Sequence, residues 1–183
     1  MERGEVRSKR RVHDGRVVRL DVEQVTLPNG REVELEIVRH VGAAAVAAVD
    51  GAGNLVLVRQ YRHATGGYLL EVPAGKLDVP GEPPEACALR ELEEEAGQRA
   101  ARLEALGWIW TTPGFTDEKI WLYLATGLSA AEQDLQHDEV LSVERIALGQ
   151  AVRMALSGEI VDAKSVVAIL RAAAALDRPA QAR

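Results

Sequence analysis

The apolar positions of this chain come mostly in short alternating bursts. Between Arg16 and Leu27, Val18, Leu20 and Val22 recur at every second position, which predicts a strand with one apolar face. Pro28-Asn29-Gly30 is a turn signal and Glu32 to Val38 resumes the alternation, so the two runs read as a hairpin. Ala43 to Val49 is apolar throughout, as for a strand covered on both faces. Asp50-Gly51-Ala52-Gly53-Asn54 turns the chain into a strand over Leu55–Tyr61, and Tyr68–Val72 is the next. Later strands are predicted over Leu103–Trp110, Lys119–Ala125 and Val140–Ile146, with loops at Thr111–Asp117 and Ser129–Asp138. Helices are predicted over Ala147–Leu156 and Ala163–Leu176. Met1–Arg11 reads as a frayed or edge segment and 177–183 as a disordered tail. Mixed strands with a few helices, without repeats or a linker, predict one α+β domain built as an α/β/α sandwich.

The period changes between Pro83 and Gly97. Pro83 and Pro84 suit a first helical turn, and Gly97 suits the residue just past the last one. Leu89, Leu92 and Ala96 form the expected core stripe, while Glu91, Glu94 and Glu95 stand at i, i+3 and i+4 and share another face. These acids lie in the last turns, where the macrodipole is already negative, and like charges four apart cost a few tenths of a kcal/mol more. Within the helix only Arg90, four residues before Glu94, offers relief. One reading is a solvated acidic face. The other is a cation site, since hard carboxylate oxygens suit Mg2+ or Mn2+.

Composition narrows the choice little. With 183 residues, 47% of them hydrophobic, the chain can bury a core and is not a disordered one. A net charge of −6 gives no general attraction to nucleic acid. No apolar run approaches a membrane span, and the polar start MERGEVRSKRR lacks a signal core, so a cytoplasmic protein with neither membrane nor nucleic-acid partners is expected. Cys87 is the single cysteine; without an evident histidine partner it reads as a small helix residue rather than a nucleophile.

The stretch GKLDVPGEPPEACALRELEEEAG, Gly75 to Gly97, resembles the Nudix box, G-x5-E-x7-R-E-U-x-E-E-x-G-U with U a bulky aliphatic residue. Glu82, Arg90, Glu91, Leu92, Glu94, Glu95 and Gly97 stand in register. Two positions depart: six residues rather than five separate Gly75 from Glu82, and Gln98 takes the last aliphatic place. Neither departure touches a carboxylate, and a loop insertion leaves the helix register unchanged.

The resemblance implies the Nudix fold and a hydrolase that splits a nucleoside diphosphate linked to another moiety, using water activated by Mg2+, with Mn2+ as an alternative and two or three ions when substrate is bound. It implies Glu91 and Glu95 as main ligands, Glu94 on a further ion and the Ala74 carbonyl as another ligand. Glu82 is expected to pair with Arg90 and fix the loop on the helix, with Gly75 and Gly97 as the structural glycines. Glu139, in the stretch QDLQHDEV, is the candidate general base, with Asp138 next to it and His137 as a helper or a surface histidine; Glu94 is the second catalytic candidate.

VRQYRH, LEVPAGKLD, TPGFTDEK and VDAKSVVAI, with Pro113 sixteen residues past Gly97, are similar to bacterial ADP-ribose pyrophosphatases. The likeness spans about Gly15 to Leu176 and implies cleavage of ADP-ribose to AMP and ribose 5-phosphate. Arg62 is the candidate phosphate ligand, against a surface salt bridge. Thr116 and Glu118 are candidates for sugar hydroxyls. Relatives read adenine with an Arg-x-Glu on the second N-terminal strand; here Glu36 is in place, but Glu34 replaces the arginine. Other nucleoside diphosphate sugars therefore stay as an alternative, as does a non-catalytic nucleotide-binding module. Residues 1–40 are expected to form N-terminal strands exchanged in a homodimer, with 41–176 as the hydrolase portion. The alternative for those strands is an isolated sheet edge.

Overall fold

The computed structural model describes residues 3–137 and 139–178 and divides into two compact units. One comprises Met1–Gly42 and Trp110–Lys119, the other Ala43–Ile109 and Ile120–Arg183.

The first unit is a three-stranded antiparallel sheet in the order β1-β2-β3, formed by β1 (Glu5–Asp14), β2 (Arg19–Thr26) and β3 (Glu32–Arg39). The expected turn is present: Gly30 has φ 81° and its N–H donates to the Leu27 carbonyl. The edge reading of the N-terminus is right in place but understates its order, since Glu5–Asp14 forms a full strand on β2. EVRSKRRVHD carries no apolar alternation because every residue of β1 is exposed. The face of β2 is also the reverse of the one expected. Asp21, Glu23 and Val25 are its buried residues, while Val18 is exposed. The acids are tolerated there because cations surround them: Lys9 Nζ lies 2.7 Å from Asp21 Oδ2, Arg39 Nε 3.2 Å from the same oxygen, and Arg11 donates to Oδ1. Those partners hold the Asp21 carboxyl well below the usual carboxylate range.

The second unit runs β4 (Ala43–Val49), β5 (Asn54–Arg62), β6 (Gly67–Glu71), β7 (Ala74–Lys76), α1 (Pro84–Ala96), β8 (Gln98–Trp110), β9 (Lys119–Ala130), β10 (Leu141–Ala147), α2 (Leu148–Ser157) and α3 (Ala163–Leu176). The main sheet order is β10-β5-β4-β9-β8, with β6 on β5 and β7 on β4. β4 is buried along its whole length, as its unbroken apolar run predicts, and pairs with β9 in parallel. Its alternate residues supply two cores: Ala43, Ala45, Ala47 and Val49 meet residues of α2 and α3, while Ala44, Val46 and Ala48 meet those of α1. Helices thus cover both faces of a mixed sheet, as the α+β expectation has it. The short β7 escaped prediction, and β8 and β9 extend beyond the predicted runs.

Candidate active site

The site is built on α1. Pro84 occupies its first turn, and Gly97 ends it with φ 60°, donating its N–H to the Glu93 carbonyl at 2.9 Å. The docking stripe is Cys87, Ala88, Leu92 and Ala96 against β4; Leu89, expected in that stripe, is 37% exposed. The helix is rotated so that Glu91 and Glu95 enter the protein, only 3% and 2% exposed. A solvated acidic face is therefore excluded for these two residues. Glu94 is half-buried, and Glu93 pairs at the surface with Arg99.

Burial disfavours the charged form of both acids. It pushes Glu91 up to about 7, against the pull of Arg90 and with help from the nearby Glu94 and Glu139 charges. It pushes Glu95 up to about 8, against the Ala74 N–H and with help from Glu91 and Glu139. The Ala74 N–H donates to Glu95 Oε2 at 3.0 Å, which ties the loop strand β7 to the helix. The Glu91 carboxylate lies directly over Gly75, where any Cβ would overlap it. Glycine is required there by this approach, not by its φ.

Arg90 joins loop to helix, as the resemblance implies for Glu82. Its Nε and Nη2 form a fork on the two Glu82 oxygens, each at 2.9 Å, and hold that carboxyl below its ordinary value. Its Nη1 donates to Glu91 Oε1 at 2.6 Å and to Glu94 Oε2 at 3.0 Å. The guanidinium thus stands where a cation would relieve the helix acids. Among the described residues no three His, Cys, Asp or Glu side chains already converge as a metal cluster. Two causes are visible: Arg90 occupies Glu91 and Glu94, and Glu95 is turned onto Ala74. The donor set nevertheless fits a divalent ion. Two buried carboxyls that keep protons near neutrality have a charge deficit that such an ion fills.

Glu139 lies near enough to both acids for its charge to disfavour theirs, and its Oε2 accepts the Gln136 N–H at 2.8 Å. His137 is exposed, and Asp138 lies outside the described residues. Arg62 does make a salt bridge, from a partly exposed side chain to a buried acid. Its Nε and Nη2 form a fork on the buried Glu71 at 2.8 and 2.7 Å. Arg59 does lie at the surface, donating to Glu144. Cys87 is inert: burial first, and the nearby Glu91 charge second, push its thiol up to about 12.

The remaining candidates belong to the first unit. Glu36 is exposed on β3. Thr116 Oγ1 accepts the Glu118 N–H, and Glu118 itself accepts from Thr111 Oγ1 at 2.8 Å with His40 Nδ1 at 3.4 Å. Sequence reasoning missed the cluster of Glu71, Asp162, Lys164 and Ser165, which sits within two of the quoted strings, LEVPAGKLD and VDAKSVVAI.

Residues 38–168 match the model of the NUDIX domain. The chain is 43% identical over 164 residues to the ADP-ribose pyrophosphatase of Bacillus subtilis (strain 168), covering 88% of each. It is 44% identical over 160 residues to the methanol dehydrogenase activator of Bacillus methanolicus, covering 86% of each. Among solved structures, an ADP compounds hydrolase superposes with a TM-score of 0.83 over 96% of this chain and 95% of that one; at 24% identity this likeness speaks for the fold alone.

Proposed function

Since the chain belongs to the Nudix family, whose members generally use a divalent metal such as Mg2+, we propose that it is a pyrophosphohydrolase cleaving ADP-ribose to AMP and ribose 5-phosphate. The observation that carries this reading is the pair of buried carboxyls at Glu91 and Glu95, linked through Arg90 to Glu82 and through Ala74 to the preceding loop. Glu91, Glu94, Glu95 and the Ala74 carbonyl would hold the metal, as two or three ions of Mg2+ or Mn2+. When bound, the metal neutralises the diphosphate and makes water more acidic.

The chain's own groups do the rest. Glu91 and Glu94, which now accept from Arg90 Nη1, would be the groups to hold the ion, while the Arg90 fork keeps Glu82, and with it the loop, in place. Arg62, anchored through Nε and Nη2, has Nη1 left for a phosphate oxygen. Glu139 takes the proton of the attacking water, the role that its place beside both acids supports. Thr116 and Glu118 meet the sugar, and Glu36 meets the base side. We place the activity in the cytoplasm; among the described residues no helix is long and apolar enough to cross a membrane. We place the N-terminal strands at a homodimer seam, which suits the exposed Val6, Val12 and Leu35 of that sheet.

Hydrolysis of other nucleoside diphosphate sugars is the second reading. Glu34, which accepts from Gln24 Nε2 at 2.6 Å, puts an acid where adenine readers carry an arginine. A product-resolved assay tests both: ADP-ribose, nucleoside diphosphate sugars, NADH and diadenosine polyphosphates, each with Mg2+ or Mn2+. AMP plus ribose 5-phosphate is expected, together with loss of turnover in a folded Glu95→Gln variant. No turnover of any substrate overturns the enzyme reading and leaves a binding module, while a normal rate in Glu95→Gln overturns the assignment of Glu95 to the metal. Light scattering in solution checks the dimer.

A further inference from the structure

Glu71, the last residue of β6, is 1% exposed and yet ionised. Burial works against its charge, but Arg62 and Lys164 outweigh it and hold the carboxyl below its ordinary value. Lys164, in the first turn of α3, donates to Glu71 Oε2 and, at 3.0 Å, to Asp162 Oδ2. Asp162 caps α3 by accepting the Ser165 N–H at 3.0 Å. It also accepts the Ser165 hydroxyl, whose oxygen receives the Val72 N–H at 2.9 Å. Two residues beyond Val72, the Ala74 N–H reaches Glu95. The start of α3 therefore holds both arms of the site: the strand that carries Arg62, and the segment that carries Ala74.

The charges explain why a lysine stands there. Glu71 and Asp162 are balanced by Arg62 and Lys164. Without Lys164 the cluster carries one uncompensated negative charge beside the arginine assigned to the phosphate. Glu71 Oε2, shared between Arg62 Nη2 and Lys164 Nζ, also loses the group that fixes its plane. The Arg62 fork follows that plane, so the direction of its remaining nitrogen depends on the lysine.

We propose that Lys164 is a positioning residue for diphosphate binding, acting through Glu71 on Arg62. This rests on the pyrophosphohydrolase reading but can be measured apart from it. A merely structural ion pair would hold α3 to the sheet and leave phosphate affinity unaffected in a folded variant.

The test is a double-mutant cycle on the full chain, read by calorimetric binding of ADP with Mg2+ and by KM and kcat for ADP-ribose. Lys164→Met is expected to weaken ADP binding and to raise KM by about 10- to 100-fold while kcat falls less than about threefold, as loss of binding common to ground and transition states requires. Lys164→Arg restores most of both. In an Arg62→Ala background Lys164→Met adds less than about twofold. ADP binding unchanged in a folded Lys164→Met variant overturns the proposal, as does a loss that persists undiminished in the Arg62→Ala background. If Lys164→Met alone fails to fold, Glu71→Gln/Lys164→Met removes one charge of each sign and is compared with Glu71→Gln alone: equal ADP binding in the two supports action through Glu71, and a further loss of about tenfold in the double variant overturns it. Wild-type turnover of ADP-ribose reads the parent function separately, because the ADP measurement needs no hydrolysis.

Discussion

Metal-free protein should lose stability as the pH rises from about 5 to about 8, and the loss should trace to Glu91 and Glu95. Both carboxyls start from an ordinary value of 4.5 and are pushed up to about 7 and about 8, by burial first and by neighbouring carboxylates second. Above the ordinary value and below the folded ones, the native state binds more protons than the unfolded chain. Stability from this source is therefore fully present below about pH 4.5 and disappears as pH climbs through 7 to 8. Raising Glu91 from 4.5 to about 7 is worth about 3 kcal/mol, at roughly 1.4 kcal/mol per pH unit. The rise at Glu95 contains the same mutual repulsion, so the two do not add in full, and about 3 kcal/mol is the least that the pair should give. In a chain of this size about 3 kcal/mol corresponds to a Tm difference of roughly 6–12 °C. The perturbation is Glu91→Gln/Glu95→Gln, and the assay is thermal unfolding in EDTA across that pH range. Other groups titrate alike in both proteins, so the wild type should fall by at least that amount relative to the variant. Mg2+ at about 100 times its Kd should return about 2.7 kcal/mol to the wild type alone. A difference that stays flat with pH, or that favours the wild type increasingly as pH rises, would refute the reasoning.

Gly75→Ala should weaken Mg2+ activation by about 10- to 100-fold with little change in Tm, because its Cβ displaces the Glu91 carboxylate while its φ suits alanine; Mg2+ titration of activity alongside thermal unfolding checks it. Arg90→Lys should cost about 1–3 kcal/mol in urea unfolding, since an ammonium cannot keep the fork on Glu82 while bonding Glu91 and Glu94. Glu139→Gln should lower kcat by about 100- to 10,000-fold with KM nearly unchanged, and steady-state kinetics at saturating Mg2+ would show it.

The helix was legible because its residues carry local instructions, Pro83 and Pro84 to start and Gly97 to stop, and the fork of Arg90 on Glu82 was legible from the resemblance to the box. What the local pattern hides is rotation. A reading that sends glutamates to water puts Leu89 inside and Glu91 outside, and the fold does the opposite. β2 shows the same inversion, with Asp21 and Glu23 inside because Lys9, Arg11 and Arg39 arrive from the neighbouring strands. Such partners are invisible to a pattern that scores one strand at a time. The Glu71–Lys164 pair is further out of reach, since its members stand 93 positions apart and meet only when α3 packs on the sheet.

These inversions share a physical reason. An acid enters a protein interior only where something supplies positive charge or a proton. For Asp21 and Glu71 the chain supplies permanent cations, and both carboxyls are held below their ordinary values. For Glu91 and Glu95 it supplies one shared arginine and one backbone N–H, and both carboxyls rise. No basic residue occupies the last turn of α1, although the macrodipole would favour one there. The shortfall is local: the same fold that surrounds Asp21 with three cations leaves the helix pair undersupplied. A permanent lysine at that end would stabilise the metal-free protein and compete with a bound cation, so its absence is what the proposed metal site requires.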